Sequence, residues 1–141
     1  MHNHNKDQAY HTVLLVDDDP IINLLHQKVI GKTGIANEIR SFTDPREALA
    51  YLYAELARSG KRLLVLLDIN MPEMSGFEFL DSATMFQKNG NVPDIIVVSS
   101  SIAKGDMEKA LDNDLVSGYI TKPLSGTEIL NFVKGRSPLS A

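Results

Sequence analysis

Leu63-Leu64-Val65-Leu66-Leu67-Asp68-Ile69-Asn70-Met71-Pro72-Glu73-Met74-Ser75-Gly76 carries five apolar residues in succession into a carboxylate and then into a turn marked by proline, serine and glycine. A fully apolar run of that length, bounded by turn residues, predicts a strand buried on both faces, as in a parallel sheet covered by helices. Asp68 then stands at the carboxyl end of the strand. In open α/β sheets ligands bind at that edge, because the strand ends and the loops leaving them form a crevice. Taken alone, Asp68 reads equally well as a turn or helix-capping residue. The other strand ends decide between the two.

On the amino-terminal side, residues 12–16 form an apolar strand that stops at Asp17-Asp18-Asp19-Pro20. Asp19 suits an N-cap and Pro20 the first helical turn, so a helix follows, with Ile21, Ile22, Leu25 and Val29 as its inward stripe and His26 solvated. Residues 35–42 mix apolar and charged positions and predict an edge strand. Asp44-Pro45 opens a second helix, with Leu49, Leu52 and Leu56 inward and a stop at Ser59-Gly60. Beyond Gly76 a third helix runs to about Met85, with Phe77 and Leu80 inward, before Asn89-Gly90-Asn91. Residues 95–98 are an all-apolar strand ending in Ser99-Ser100-Ser101. Residues 104–113 form a weakly apolar fourth helix, and 118–121 a last strand ending in Lys122-Pro123. Ser125 to Glu128 reads as a capping box opening the fifth helix, which buries Ile129, Leu130 and Val133.

Five strands alternating with five helices predict a single α/β domain. With the most apolar strands at the centre, it is a flavodoxin-like, doubly wound (βα)5 three-layer sandwich with parallel sheet order 2-1-3-4-5. Residues 1–11 are expected to be a disordered tail, 12–135 the domain and 136–141 a second tail; His2, His4 and His11 have no partners spaced to complete a metal site. The chain has 141 residues, enough for one core. It has no cysteine, which removes disulfides and thiolate metal sites and suits a reducing, cytoplasmic setting. No apolar run is long enough to span a membrane. A net charge of -4 without a Lys/Arg cluster argues against nucleic acid as a direct partner.

The polar residues at the strand ends converge on one edge: Asp17 and Asp18 after the first strand, Asp68 after the third, Ser99 after the fourth and Lys122 after the fifth. Three converging carboxylates repel by about 4 kcal/mol per close pair at an effective dielectric near 20. Lys122 offsets part of that charge. An oxygen-only cluster suits a hard cation, and Mg²⁺ takes one or two carboxylates and leaves positions for water and phosphate oxygens. An Asp carboxylate can itself be a nucleophile and form an aspartyl phosphate, while metal, lysine and hydroxyl hold the charge of the transferred oxygens.

Val16-Asp17-Asp18-Asp19-Pro20, the Leu67 to Gly76 stretch, Val98-Ser99 and Gly118-Tyr119-Ile120-Thr121-Lys122-Pro123 together resemble the receiver domain of two-component response regulators, the CheY-like family, over about residues 12–134. The resemblance implies a phosphorylation switch and not an enzyme. It makes Asp68 the phosphoacceptor, with Mg²⁺ held by Asp18, Asp68 and the Asn70 backbone carbonyl and by Asp17 through water. It further implies Ser99 as switch hydroxyl, Lys122 as phosphate partner, Tyr119 as switch aromatic and a cis Lys122–Pro123 peptide. The implied partners are a sensor histidine kinase or histidine phosphotransfer protein upstream, and an effector or another receiver downstream. The chain would then be a monomer or a phosphorylation-dependent dimer.

The interval from Asp18 to Asp68 is longer than usual for that family, with the excess at residues 53–62, and a Ser tract stands where Ser or Thr followed by Ala is commoner. The few residues after Val133 leave no room for an output domain, so a stand-alone, single-domain receiver is expected. Two alternatives stand beside it. One is a Mg²⁺-dependent phosphohydrolase of the haloacid dehalogenase type, which needs an acid where Asn70 stands. The other is a pseudo-receiver that binds partners without phosphorylation.

Overall fold

The computed structural model describes residues 8–58, 61–89, 92–101 and 103–136. Strands β1 (Tyr10–Val16), β2 (Ala36–Phe42), β3 (Leu63–Leu67), β4 (Asp94–Ser99) and β5 (Val116–Thr121) alternate with helices α1 (Pro20–Thr33), α2 (Pro45–Arg58), α3 (Gly76–Ala83), α4 (Lys104–Leu111) and α5 (Gly126–Arg136). The strands form one parallel sheet in the order β2-β1-β3-β4-β5. This is the doubly wound order expected of two edge strands with mixed composition around three apolar ones.

Alternation along each central strand builds the two covering layers. Leu14, Val16, Val65 and Leu67 face Ala48, Leu52, Phe79 and Leu80 of α2 and α3. Val13, Leu15, Leu64 and Leu66 face the other way, against Ile30 of α1 and Ile129 of α5. A third, smaller cluster seats α4 through Ala110 on Ile69 and Val97. Burying a large apolar side chain contributes about 1.5–3 kcal/mol, so the first two layers hold the sheet firmly and α4 is held much less.

Several expectations are corrected. β1 begins at Tyr10, which is buried, so Tyr10 and His11 belong to the sheet and not to a tail; Tyr10 Oη donates to Asp94 Oδ2 at 2.6 Å. α1 is turned relative to the stripe read from the sequence. Asn23, His26 and Ile30 face inward, while Ile21 and Leu25 are 66% and 52% exposed. His26 is thus a buried residue and not a solvated one. α3 is shorter and continues as a 3-10 segment, Thr84–Asn89, and its inward residues include Phe79. The reciprocal capping box lies at Ser75 and Glu78, before α3. At Ser125 only the bond from Glu128 N–H to the serine hydroxyl is seen. The proposed stop at Ser59-Gly60, His2, His4 and residues 137–141 lie outside the described residues.

Candidate functional site

The parallel ladder extends one bond past the strands and sets the site residues at a common edge. Asp68 N–H donates to the Val16 carbonyl at 3.0 Å, Lys122 N–H to Ser99 at 2.8 Å and Asp17 N–H to Phe42 at 3.1 Å. Asp17, Asp18 and Asp68 are thereby gathered so that one carboxylate oxygen from each lies within 4.8 Å of the others. Asp17 and Asp68 are buried and Asp18 is exposed, giving an acidic pocket open on one side.

Each carboxylate is held differently. Asp17 Oδ1 accepts the Asp19 N–H at 2.9 Å, and its Oδ2 pairs with Lys122 Nζ at 2.8 Å. Lys122 Nζ stands 3.8 Å from Asp68 Oδ2, so the lysine sits between the two buried carboxylates and closer to Asp17. Asp68 Oδ1 accepts the Asn70 N–H at 3.1 Å. Burial pushes the Asp68 carboxyl above its ordinary value; the Asn70 N–H and Lys122 oppose this, and Asp17 and Asp18 add to it. A carboxylate held uphill beside two others suits a divalent cation, and all the donors are hard oxygens. The residues present therefore fit Mg²⁺. Asp19 caps α1, accepting the Ile21 N–H at 2.9 Å.

Close backbone packing fixes the loop after β3. A Cβ on Gly76 would lie 2.5 Å from the Ile69 Cα and 2.9 Å from the Asp68 carbonyl oxygen, so only glycine lets α3 begin against this loop. Ser99 is fully buried, its hydroxyl accepting the Ser101 N–H at 3.0 Å, with Asn70 Nδ2 at a long 3.5 Å. Tyr119 lies on β5 and donates its hydroxyl to the Ser101 carbonyl at 3.0 Å. Ser101 Oγ donates to Asp106 Oδ2 of α4 at 2.7 Å. The Lys122–Pro123 peptide is cis.

Asn23, which the sequence reading did not single out, borders the pocket from the inward face of α1, and His26, read there as solvated, lies buried on the same face. Asn23 Nδ2 donates to the Asp17 carbonyl at 2.9 Å and to the Phe42 carbonyl at 3.3 Å. His26 lines a groove with Leu25, Lys122 and Pro123; burial first, and then the Lys122 charge, lower its pKa. Polar side chains at helical spacing within an otherwise apolar helix were the available signal.

The doubly wound sheet thus carries an acidic trio, a hydroxyl and a lysine together at its carboxyl edge. Residues 13–134 match the response regulator receiver domain model, and the chain belongs to that family. It is 30% identical over 125 residues to the probable methanogenesis regulatory protein FilR2 of Methanothrix harundinacea, covering 86% of this chain and 78% of that one. It is also 30% identical over 124 residues to the sensor histidine kinase CheAY of Helicobacter pylori, where it spans 14% of the relative's length. Among solved structures, a two-component response regulator from Cytophaga hutchinsonii superposes with a TM-score of 0.77 at 34% identity, covering 89% of this chain and 96% of that chain. The CheX–CheY–BeF3–Mg complex from Borrelia burgdorferi gives 0.71 at 25% identity, covering 89% and 88%.

Proposed function

We propose that this chain is a phosphorylation-operated switch that accepts a phosphoryl group on Asp68 from a histidine kinase or histidine phosphotransfer protein and signals through altered protein contacts. The observation that carries this reading is the gathering of Asp17, Asp18 and Asp68 within 4.8 Å, with Lys122 set between the two buried ones. In the transfer an Asp68 carboxylate oxygen attacks phosphorus and forms the P–O bond of an acyl phosphate. The P–N bond to the donor imidazole breaks, and its electron pair returns to the ring nitrogen. Mg²⁺, held by Asp18, Asp68 and the Asn70 carbonyl with Asp17 through water, would supply charge neutralisation for the transferred oxygens. Lys122 Nζ, already between Asp17 and Asp68, is placed to follow the new negative charge, and Ser99 Oγ to donate to it once released from Ser101 N–H.

The donor must bring an imidazole into this open edge. Ile21, Leu24 and Leu25, each more than half exposed on the helix that begins at the acidic turn, supply an apolar surface beside it for a helical donor. Asn70 stands where a haloacid dehalogenase-type phosphohydrolase needs an acid, so hydrolysis is not the reading the residues favour.

Incubation with acetyl phosphate, read by intact mass, tests the proposal. The wild type is expected to gain one labile phosphoryl group with Mg²⁺ and none in excess EDTA, and Asp68→Asn to gain none. Equal labelling with EDTA, or labelling of Asp68→Asn, would overturn it.

A further inference from the structure

The inward face of α1 departs from ordinary helix patterning. A helix on a sheet normally buries its apolar stripe, yet α1 exposes Ile21, Leu24 and Leu25 and buries Asn23. Asn23 is 3% exposed, and its amide nitrogen uses both N–H groups, on the Asp17 and Phe42 carbonyls. The Phe42 carbonyl also accepts the Asp17 N–H at 3.1 Å. One side chain therefore ties the end of β1 to the end of β2, at the residue whose carboxylate holds Lys122 at 2.8 Å. With two carbonyls against the nitrogen, the orientation of the amide is fixed, since a flipped oxygen would face both. Its own oxygen, Oδ1, is buried and has no hydrogen-bond partner among the described residues. A buried polar atom left unsatisfied is costly, and an apolar side chain with the same branched skeleton, such as leucine, would avoid that cost in a purely structural position.

We infer that Asn23 is a positioning residue of the acidic pocket: it fixes the backbone of Asp17, and through it the Asp17-Asp18 turn and the Lys122 ion pair, in the arrangement that receives the metal. The chain of contacts is continuous. Asn23 Nδ2 holds the Asp17 carbonyl, Asp17 Oδ1 holds the Asp19 N–H that starts the turn, and Asp17 Oδ2 holds Lys122. Without the amide the turn keeps its sequence, its cap and the Asp17 N–H bond to Phe42, but the Asp17 carbonyl loses the side chain that fixes it beside the end of β2. Ligand carboxylates that must be ordered at the moment of binding bind more weakly than ligands already in place.

This inference rests on the reading that Asp17, Asp18 and Asp68 hold Mg²⁺. Its test compares wild type, Asn23→Leu and Ile30→Val, a change at a buried residue of the same helix away from the pocket, by Mg²⁺ titration calorimetry and thermal melting of the metal-free protein. Removing residues that support metal ligands typically weakens binding by roughly 10–100-fold, and that loss is expected for Asn23→Leu with wild-type affinity for Ile30→Val, whatever the two melting temperatures. Should Asn23→Leu fail to fold, Asn23→Ser carries the same test, because its single hydroxyl donor cannot serve both carbonyls. Wild-type Mg²⁺ affinity in the Asn23 variant overturns the inference and leaves the metal reading standing. Failure of the wild type itself to bind Mg²⁺ overturns both.

Discussion

At the scale of single residues, the acidic pocket costs the fold stability. The Asp68 carboxyl, with an unfolded value near 3.8, is raised in the fold first by burial and then by Asp17 and Asp18. Above the raised value the charged form carries its full penalty; as pH falls through it, the folded chain takes the proton before the unfolded chain does, and the penalty disappears. Asp68→Asn is therefore expected to melt higher than wild type at pH 7 in EDTA, with the two curves converging as pH drops towards 4, and saturating Mg²⁺ should close the gap at pH 7. Bound at a hundred times its Kd, a ligand stabilises by about 2.7 kcal/mol. An Asp68→Asn protein no more stable than wild type in EDTA would contradict the raised carboxyl. His26 acts with the opposite sign. Its value is lowered from 6.5, chiefly by burial, so above that pH it is neutral in both states and contributes nothing. Below it the unfolded chain binds a proton that the buried ring resists, and stability declines until pH passes the lowered value. A flatter stability profile between pH 7 and 5 for His26→Gln, measured by urea titration, is the expected outcome.

At the scale of elements, strands and strand ends were legible in the sequence, as was the inward face of α2 with its Leu52 and Leu56, whereas the rotation of α1 was not. β1, β3 and β4 each carry a continuous apolar run, at residues 13–16, 63–67 and 95–98, and a strand with both faces covered needs no phase to be recognised. Because each runs straight into its polar residue, the sequence alone places Asp17, Asp68 and Ser99 at one edge. α1 defeated the same approach because Ile21, Ile22, Leu24, Leu25, Val29 and Ile30 surround nearly the whole helix, so apolar periodicity leaves its rotation open. The hydrogen bonds of Asn23 to two strand-end carbonyls settle the rotation, and those depend on β2 lying beside β1, a tertiary fact. The cap of α1 was readable because it is local: Asp19 accepts the Ile21 N–H as its position predicts. The neighbouring aspartates should consequently separate by effect. Asp19→Ala is expected to lower stability by about 1 kcal/mol and leave the Mg²⁺ affinity within a few-fold of wild type. Asp18→Ala, exposed and without a capping role, should leave the melting temperature of the metal-free protein near wild type and weaken Mg²⁺ strongly. Equal losses of metal affinity in the two would show that the ligand had been misassigned.

At the scale of the whole molecule, the sheet divides into a firmly packed part and a part able to move. β1, β3, α2, α3 and α5 share the two large clusters, whereas α4 buries Ala110 alone among its residues and otherwise rests on edge contacts. Lys109 Nζ lies 4.2 Å from the centre of the Phe77 ring, Ser101 Oγ bonds Asp106, and Tyr119 Oη bonds the Ser101 carbonyl. Local stability follows buried contact, so α4 and the loop before it should open at lower free energy than the central strands. Ser99 connects this part to the pocket. Its hydroxyl oxygen accepts the Ser101 N–H, and a phosphoryl group on Asp68, which would bring roughly -1.5 to -2 charges and only acceptor oxygens, would draw the hydroxyl proton and turn the side chain towards itself. Once Ser99 turns inward, the Ser101 backbone loses that anchor, and with it go the carbonyl that holds Tyr119 and the hydroxyl that holds Asp106. The expected consequence is a shift of population at the surface formed by α4, β5 and α5, where an effector or a second receiver would read the change. Hydrogen exchange with and without beryllofluoride and Mg²⁺ measures this. Altered protection should concentrate at residues 99–134 and be largely lost in Ser99→Ala, whereas changes confined to the acidic turn, or centred on residues 53–62, would place the output on another face.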